Sequence, residues 1–446
     1  MANGTFFASA NGYNKNAITI VRVSGPKVKK LLKQLCKIKI HPEVINYASV
    51  FKENGMLIDK CVILFFKKPK SSTGEDLVEF HLHGSRAIIK SLEETLLNIK
   101  GIYRAERGDF TKQAFFNNKL DLVQAEGLND LINAETETQK QLAQNSLLGG
   151  VSRNINSWRN SLINLSSLLE SLIDFSDEEI PKDTSDKFDC ELKNLLNDIQ
   201  VALDENKVAK IIREGLKVAI VGPPNAGKSS LINKIFKQEL SIVDSEKGTT
   251  RDVISATIDL DGIQTTFYDT AGLHKSDKKV EQIGINKANR LAKNCDILLR
   301  LVDGSKNNWQ TELKKLPYTG NAQINVINKS DLFLKQDGTK QTFLDMTIIS
   351  SKTKFGINTL LNQIKDIAFD LIHTIQPPSV VRERHVLAVT KVRDCLIRAK
   401  QLNITNDPEL LAEEMRHALV NVGKITGRVD VEDVLGNIFN QFCIGK

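Results

Sequence analysis

The spacing of apolar and polar positions changes three times along the chain, and these changes predict its domains. Up to about residue 118, short runs that favour strands are mixed with helical stretches such as Arg86–Leu97. The runs that predict strands are Ala17–Val23, Cys61–Phe66 and Leu77–Leu82. An N-terminal α+β domain is therefore predicted over residues 1–118.

A helical pattern begins at Leu120. One apolar stripe recurs at steps of three and four residues and is formed by Trp158, Leu162, Leu165, Leu169 and Leu172. Residues 181–207 are more polar, and they predict a loop followed by a helix, Phe188–Leu203. A second helical pattern follows Pro378 and continues to the last residue.

Between these helical stretches, residues 214–372 alternate between strand-like and helix-like runs. The strand-like runs are Lys217–Val221, Val253–Leu260, Ile263–Tyr268, Ile297–Val302, Ile324–Ile327 and Met346–Ile349. Asp261 and Gly262 predict a hairpin turn between two of these runs. The alternation predicts a doubly wound, mainly parallel α/β sheet whose ligand lies beyond the carboxyl ends of its strands. We predict that this unit is inserted into one all-α domain made of residues 119–213 and 373–446.

The run from Gly222 to Ser229 fits the phosphate-binding loop G-x-x-x-x-G-K-S. It follows the apolar run Val218–Val221 and precedes a helix-compatible segment, Ser230–Phe236, which is the context that this motif requires. Backbone N–H groups of such a loop surround a polyphosphate, Lys228 can reach its outer oxygens, and the Ser229 hydroxyl can ligate Mg²⁺. The loop predicts binding of a nucleoside triphosphate.

Two further segments contain groups that can complete the phosphate and Mg²⁺ site. Asp269 follows a strand-like run and can hold a water bound to Mg²⁺, while the N–H of Gly272 can meet the γ-phosphate. Thr249 and Thr250 lie in the loop before another strand, where a threonine hydroxyl can complete the Mg²⁺ shell.

The segment Asn328–Asp331 identifies the base. The Asp331 carboxylate can accept hydrogen bonds from both N1–H and the exocyclic amine of guanine, a pair of donors that adenine does not offer. Ser350–Lys352 follows the last strand-like run and is expected to close over the base. These segments occur together, in order and each behind a strand, and they predict GTP as the ligand.

Hydrolysis needs a device other than a water-orienting glutamine. Leu273 occupies the position after the Asp269–Gly272 segment, where many small GTPases carry that glutamine. Glu281 can polarise the water through an intermediary, and Asn225 can ligate a monovalent cation beside the phosphates. A solvated helix glutamate and a turn-stabilising asparagine are the alternatives, and spacing by itself favours them.

Composition and charge narrow the class of protein only a little. The net charge of +7 over 446 residues is compatible with an RNA partner, but a solvated lysine-rich surface accounts for it more simply. The six cysteines are scattered without a C-x-x-C pair, which argues against a zinc ribbon or a disulfide framework. Neither a signal peptide nor an apolar run near the ~20 residues of a membrane span is read, so a cytoplasmic protein is expected.

These segments and their flanks resemble the tRNA-modification GTPases of the MnmE/TrmE family over essentially the whole chain. The runs that carry the resemblance begin at Ile20 (IVRVSG), Thr73 (TGED), Arg107 (RGDFT), Asn118 (NKLDL), Asp174 (DFSDEE), Gly248 (GTTRD), Val280 (VEQIG) and Phe442 (FCIGK), together with Glu79, His83 and Gly84. The terminal run is the most distinctive of them, because a GTP-binding domain is common to many families.

The resemblance implies a function for each domain. It implies that residues 1–118 dimerise and bind a tetrahydrofolate one-carbon carrier, either a 5-formyl or a 5,10-methylene derivative. Arg22, Glu79, Lys119 and Lys446 match the folate positions of the family. A carboxylate such as Glu79 can accept from a pteridine, and the cationic side chains suit the anionic glutamate tail of folate. Residues 214–372 correspond to the GTPase domain.

The resemblance also implies a potassium-dependent GTPase. Its GTPase domains pair across a homodimer, and K⁺ is held by Asn225, Asp244, Glu246 and Thr249. Mg²⁺ is held by Ser229 and Thr250, and Glu281 is the catalytic glutamate, with Lys228 on the phosphates. The full predicted GTP contact set is Asn225, Ala226, Gly227, Lys228, Ser229, Ser230, Asp244, Ser245, Glu246, Lys247, Gly248, Thr249, Thr250, Asp269, Thr270, Ala271, Gly272, Asn328, Lys329, Ser330, Asp331, Ser350, Ser351 and Lys352.

The expected reaction follows from the same resemblance. The family works with an FAD- and NADH-using partner of the MnmG/GidA type. Together they build a carboxymethylaminomethyl-type group on C5 of the wobble uridine (position 34) of certain tRNAs. Cys443 in the terminal run is a candidate nucleophile, positioning group or redox thiol, and a small packing residue is the alternative.

Two rival functions share the same GTPase domain. One is a ribosome-assembly switch, although Gly423–Gly427 has one residue too many between its glycines for the RNA-binding loop of a KH domain. The other is a GTP-controlled scaffold whose chemistry resides wholly in a partner. Folate binding by the N-terminal domain separates the scaffold from the modification enzyme.

Overall fold

The computed structural model describes residues 4–12, 15–174, 182–238, 255–269, 295–318, 322–333, 346–372, 378–429 and 432–445. The chain divides into two compact units. The first comprises Met1–Asn129, Ser146–Leu196 and Leu387–Lys446, and the second comprises Asp130–Asn145 and Asn197–Val386. None of the helices in these described ranges is long and apolar enough to cross a membrane.

The N-terminal sheet of the first unit has six strands in the order β3-β4-β5-β2-β1-β6. They are β1 Thr5–Ser9, β2 Asn16–Ser24, β3 Ile45–Phe51, β4 Leu57–Phe66, β5 Leu77–Gly84 and β6 Ile102–Arg104. Alternate residues face a core that includes Val21, Ile63 and Phe80 and is covered by helices α1 Val28–Leu35 and α2 Arg86–Leu97. This α+β arrangement agrees with the prediction.

The face of this sheet opposite to helices α1 and α2 is called the outer face. The register of the strands shows which residues lie on it. One row runs across the strands as Ile45, Leu64, Glu79, Arg22 and Ala8. The next row is Tyr47, Val62, His81 and Ile20. Directly opposed residues share a face, so these side chains form one surface. Ile45 is 77% exposed and Tyr47 is 62% exposed.

Helices make up most of the remaining first unit. Residues Val151, Ile155, Trp158, Leu162, Leu165 and Leu169 of α6 are buried, which confirms the predicted stripe, and the last of its predicted members, Leu172, is half-buried. Each fully buried leucine contributes roughly 1.5–3 kcal/mol. The helices up to the second sheet are α3 Asp109–Phe116, α4 Leu122–Ile132, α5 Glu137–Leu147, α6 Gly150–Asp174 and α7 Lys182–Glu214. Most of α5 and the part of α7 from Asn197 onward belong to the second unit.

Helix α7 corrects one prediction. The described part of the predicted loop is helical, and α7 extends over 33 residues, from Lys182 to Glu214, well beyond the expected Phe188–Leu203. Its buried apolar positions recur at steps of three and four residues from Phe188 to Ala202 and resume from Val208 to Ile211, so its polar residues belong to the exposed face of one helix. Gly215, at φ +81°, follows its last residue.

The sheet of the second unit has the strand order β12-β11-β10-β7-β9-β8. Its strands are β7 Leu216–Val221, β8 Ser255–Leu260, β9 Ile263–Asp269, β10 Ile297–Asp303, β11 Ala322–Asn328 and β12 Thr347–Ile348. All neighbours are parallel except β8 and β9, which are joined by the predicted turn, where Asp261 and Gly262 both have positive φ. The prediction of a doubly wound, mainly parallel sheet is confirmed.

The remaining helices complete both units. They are α8 Lys228–Gln238, α9 Trp309–Lys315, α10 Ser330–Phe333, α11 Ile357–Ile372, α12 Glu383–Ala399, α13 Pro408–Thr426 and α14 Glu432–Phe439. Helices therefore lie on both sides of the α/β stretch in the sequence, as predicted. The residue boundaries of the four predicted domain segments stay predictions.

Candidate nucleotide-binding site

The phosphate-binding loop lies between the buried end of β7 and the start of α8. Asn225 and Gly227 both have positive φ, at +64° and +98°, so the chain turns sharply before the helix. A Cβ at position 227 would lie 2.2 Å from Nδ2 of Asn328, which belongs to the segment expected to read the base. Glycine is therefore required there because the loop packs directly against that segment.

The side chain of Lys228 is hydrogen-bonded to the backbone of this loop. Its Nζ donates hydrogen bonds to the carbonyl oxygens of Gly222 at 2.8 Å and Pro223 at 2.9 Å, and the residue is only 4% exposed. Burial lowers the pKa of the Lys228 ammonium, while the nearby Asp269 carboxylate opposes this shift. A cation held in this way is poorly solvated and interacts strongly with an anion that enters the loop.

Ser229 and Asp269 meet at the carboxyl edge of the sheet. The Ser229 hydroxyl donates to Oδ2 of Asp269 at 2.5 Å, and Asp269 is fully buried at the end of β9. Strand β9 lies beside β7, which places Asp269 opposite Ile220, two residues before Gly222. A hydroxyl and a carboxylate are the hard oxygen donors that Mg²⁺ prefers, so this pair fits a magnesium site.

The segments that are predicted to read the base form one hydrogen-bonded cluster. The Asn328 side chain donates to the Ala226 carbonyl at 2.8 Å and accepts from the backbone N–H of Ser351 at 3.0 Å and from its hydroxyl at 3.1 Å. The Ser350 hydroxyl donates to Oδ1 of Asp331 at 2.6 Å. The loop, the Asn328–Asp331 segment and the closing serines are thus brought together, as the GTP hypothesis requires.

A residue that the sequence reasoning did not single out completes this end of the site. Oδ2 of Asp303, the last residue of β10, accepts from Nζ of Lys329 at 2.6 Å. Its Oδ1 accepts from the backbone N–H of Ser305 at 3.1 Å and from the Ser305 hydroxyl at 2.6 Å. Burial would raise the pKa of Asp303, but the hydrogen bonds from Lys329 and Ser305 outweigh it and lower that pKa. An aspartate directly after the predicted strand-like run Ile297–Val302 was the available signal.

The other predicted GTP contacts are distributed around this cluster. Ala226 and Ser330 are buried, and Asn225, Ser230 and Lys352 are exposed. The predicted contacts outside the described residues are Asp244, Ser245, Glu246, Lys247, Gly248, Thr249, Thr250, Thr270, Ala271, Gly272 and Glu281. Their roles stay predictions.

Two of the predicted folate residues meet on the outer face of the N-terminal sheet. Nε of Arg22 donates to Oε1 of Glu79 at 2.8 Å, and Nε2 of His81 lies 3.3 Å from Oε2 of the same carboxylate. Lys119 is exposed just after α3, and Lys446 lies outside the described residues. Register places Arg22 and Glu79 in one row although they are 57 positions apart in the sequence.

The C-terminal run reaches the same sheet. Ile444 forms an isolated antiparallel bridge with Arg107, and Phe442 is buried. A Cβ placed on Gly445 would lie 3.6 Å from the Cβ of Ala8, which is the direct neighbour of Arg22 in its row. The tail is therefore beside the row that contains Arg22 and Glu79. Cys443 is exposed on this tail as a free thiol.

Two known protein families match this chain over most of its length. The family described as MnmE helical domain matches residues 122–443, and the family described as GTP-binding protein TrmE N-terminus matches residues 5–119. The tRNA modification GTPase MnmE of Rickettsia bellii (strain OSU 85-389) is 38% identical over 449 residues, which covers 99% of this chain and 100% of that protein. The chain belongs to the MnmE family of tRNA modification GTPases.

Other matches agree with this assignment to the MnmE family. The MnmE protein of Rickettsia prowazekii (strain Madrid E) is 38% identical over 447 residues, with 99% of this chain and 100% of that protein covered. Among solved structures, the G domain of the T. maritima FeoB iron transporter aligns with 34% of this chain and 98% of its own, at 22% identity and a TM-score of 0.25. A likeness this partial carries no information about the site, whereas the full-length matches confirm the resemblance read from the sequence motifs.

Proposed function

We propose that this member of the MnmE family hydrolyses GTP as one component of a tRNA-modifying complex. The proposed product is a carboxymethylaminomethyl-type group on C5 of the wobble uridine, built from a tetrahydrofolate one-carbon unit. The observation that carries the proposal is the cluster of Lys228, Asn328 and Asp331 around one loop, because it joins phosphate binding to guanine recognition. The partners proposed are a second copy of this chain, an MnmG/GidA-type protein that carries FAD and uses NADH, and tRNA, all in the cytoplasm.

The residues of the loop have distinct proposed roles in GTP hydrolysis. Lys228 neutralises charge on the outer phosphate oxygens, which replace the Gly222 and Pro223 carbonyls as its partners. Ser229 and Thr250 hold Mg²⁺, which offsets charge on the phosphates when it is bound, and Asp269 orients that site through the Ser229 hydroxyl. Glu281 is the proposed catalytic glutamate, because Leu273 has no group that can orient water.

Potassium is proposed to supply positive charge that an arginine supplies in other GTPases. Asn225 supports this role, because it is an exposed residue of the loop with a left-handed backbone. Asp244, Glu246 and Thr249 are the other proposed ligands. Oxygen donors such as these suit a hard monovalent cation.

GTP hydrolysis is expected to be more than about tenfold faster in K⁺ than in Na⁺ at the same ionic strength, because charge stabilisation of the transition state requires a cation of matching size. Phosphate release under single-turnover conditions in the two chlorides measures this. Equal rates in both salts would contradict a potassium role.

Glu281→Ala in the same assay is expected to remove turnover in both salts while GTP binding persists; a parallel loss of affinity would indicate damage to the site instead.

The outer face of the N-terminal sheet is the proposed folate and dimerisation surface. Exposed Ile45 and Tyr47 and the half-buried Val62 and Leu64 form an apolar area around the Glu79 carboxylate. An apolar surface with a few convergent polar groups suits a flat heterocycle, and an exposed apolar patch also suits a second copy of the chain. Arg22 and His81 already contact the Glu79 carboxylate. A bound folate would therefore have to replace one of these two residues as a partner of that carboxylate.

The tail beside Ala8 supports a functional role for Cys443. Lys446 follows Cys443 by three positions, and we propose that this terminal run contributes to the folate site together with Arg22 and Lys119. The Cys443 thiol is exposed and can therefore be reached by a ligand or a partner, which is compatible with a nucleophilic, a positioning or a redox role.

Arg22→Ala and Glu79→Gln are each expected to abolish wobble-uridine modification in cells that lack the native protein, while GTP hydrolysis in vitro stays within about twofold of the parent. The reason is that both changes remove a partner of the folate but lie in the unit that does not hold the GTP cluster. Mass spectrometry of wobble uridines, with calorimetric titration of 5-formyltetrahydrofolate, measures the effect. Lys90→Ala, an exposed change on α2, is the matched control. Absence of folate binding by the parent protein, together with undiminished modification by both variants, would favour the scaffold function.

A further inference from the structure

The ion pair between Asp303 and Lys329 connects two strand ends inside the nucleotide-binding unit. Asp303 and Asn328 are Cα partners in the parallel ladder of β10 and β11, and Lys329 follows Asn328 directly. Lys329 has a φ of +65°, a left-handed conformation that turns the chain at the end of the strand. Its ammonium then lies against the carboxylate of the neighbouring strand, 2.6 Å from Oδ2.

Asp303 is more deeply buried and accepts more hydrogen bonds than the carboxylate of a typical surface ion pair. The residue is 3% exposed, and its carboxylate accepts three hydrogen bonds, one from Lys329 and two from Ser305. Lys329 is the more exposed partner, with 32% of its side chain accessible. The carboxylate is therefore the fixed element, and it determines where the lysine lies.

The position of Lys329 gives this arrangement a consequence for the ligand. Lys329 stands in the sequence between Asn328, which holds the phosphate loop through Ala226, and Asp331, the guanine-reading carboxylate. A lysine tethered at its ammonium exposes its methylene stem as an apolar strip. A strip at this place can cover one face of a purine, whereas an untethered stem would have to be ordered each time a nucleotide binds.

We propose that Asp303 is a positioning residue for guanine nucleotides, which acts by tethering the ammonium of Lys329 so that its stem forms a wall of the base pocket. This inference rests on the proposed GTP-binding function and deepens it. Asp303 does not touch the nucleotide; its effect passes through Lys329. The phosphate-binding groups lie at the other end of the cluster, so binding and not the hydrolytic step depends on it.

Asp303→Asn in the full-length protein tests the proposal. The substitution preserves shape and the acceptor for Ser305 but removes the charge that holds the lysine. The dissociation constant for GDP labelled with a methylanthraniloyl group is expected to rise about tenfold, mostly through faster release, because the wall is no longer preorganised. The rate of hydrolysis at saturating GTP is expected to stay within about twofold of the parent.

A double-mutant cycle separates positioning from a merely structural role. In a Lys329→Met background, Asp303→Asn is expected to change the dissociation constant by less than about twofold, because the group through which it acts is gone. Lys306→Met, which removes a neighbouring ammonium that pairs with Glu312, is the matched control and is expected to bind like the parent.

Either of two outcomes overturns the inference. Equal affinity loss in the parent and Lys329→Met backgrounds would assign Asp303 to the fold of the strand end, and unchanged affinity in the parent background would leave it without any role in binding. A parent protein that binds no guanine nucleotide would instead overturn the proposed function itself.

Discussion

Asp331→Asn is expected to lower the affinity for GTP by about a thousandfold and to create affinity for xanthosine triphosphate. The carboxylate offers two acceptors to the N1–H and amine of guanine. An asparagine amide offers one acceptor and one donor, so its N–H group would face the guanine amine, donor against donor. Xanthine has a carbonyl in place of that amine, which restores the pairing. The hydrogen bond from Ser350 occupies Oδ1 from the protein side and keeps the group in place.

Competition of GTP and xanthosine triphosphate against labelled GDP, followed by hydrolysis assays with each, measures this exchange of specificity. Asp370→Asn, on the exposed side of α11, makes the same change of charge away from the site and serves as the control. If the Asp331 variant binds neither nucleotide, the loss reflects disruption of the cluster and the base-reading role is wrong.

Lys228→Met is expected to reduce GTP hydrolysis by about a thousandfold, because its ammonium is the closest built-in positive charge on the phosphate loop and acts in a poorly solvated place. Methionine keeps an unbranched side chain of similar length, so the packing around β7 is preserved. The free protein is expected to unfold at nearly the same temperature, since burial of the ammonium itself has a cost that the substitution removes.

Single-turnover phosphate release and thermal unfolding of the same samples provide both measurements. Lys234→Met removes one positive charge six positions further along the same helix and is expected to hydrolyse GTP like the parent. Hydrolysis by Lys228→Met at near the parent rate would show that the loop cradles phosphate through its backbone only.

Much of the fold follows from local pattern. The strands β7 and β10 are runs in which most residues are apolar and nearly all are buried, as expected of parallel strands covered on both sides. Their ends, and those of β11, were predicted to within two residues. The turn at Asp261 and Gly262 was predicted because two successive positive φ values suit few other residues. Helix α7 was predicted too short, because a polar face was mistaken for a loop.

The motifs of the GTP cluster were readable because each carries its chemistry within a few residues of a strand end. A glycine-rich turn, a lysine and a hydroxyl in consecutive positions can be recognised without knowing what lies next to them. The same holds for Asp331, whose carboxylate is predicted to identify guanine by its hydrogen-bonding pattern. The sequence by itself therefore determined the ligand class, the alternation of elements and the family.

Only the tertiary structure decided which distant residues meet. Asp303 and Lys329 are 26 positions apart, and Arg22 and Glu79 are 57 apart; each pair is joined by the register of neighbouring strands. The tail at Gly445 lies beside Ala8, almost the full length of the chain away. The pairing of strands and the return of the C-terminal run to the N-terminal sheet depend on many weak packing interactions spread over the whole domain. No local pattern of residues therefore predicts them.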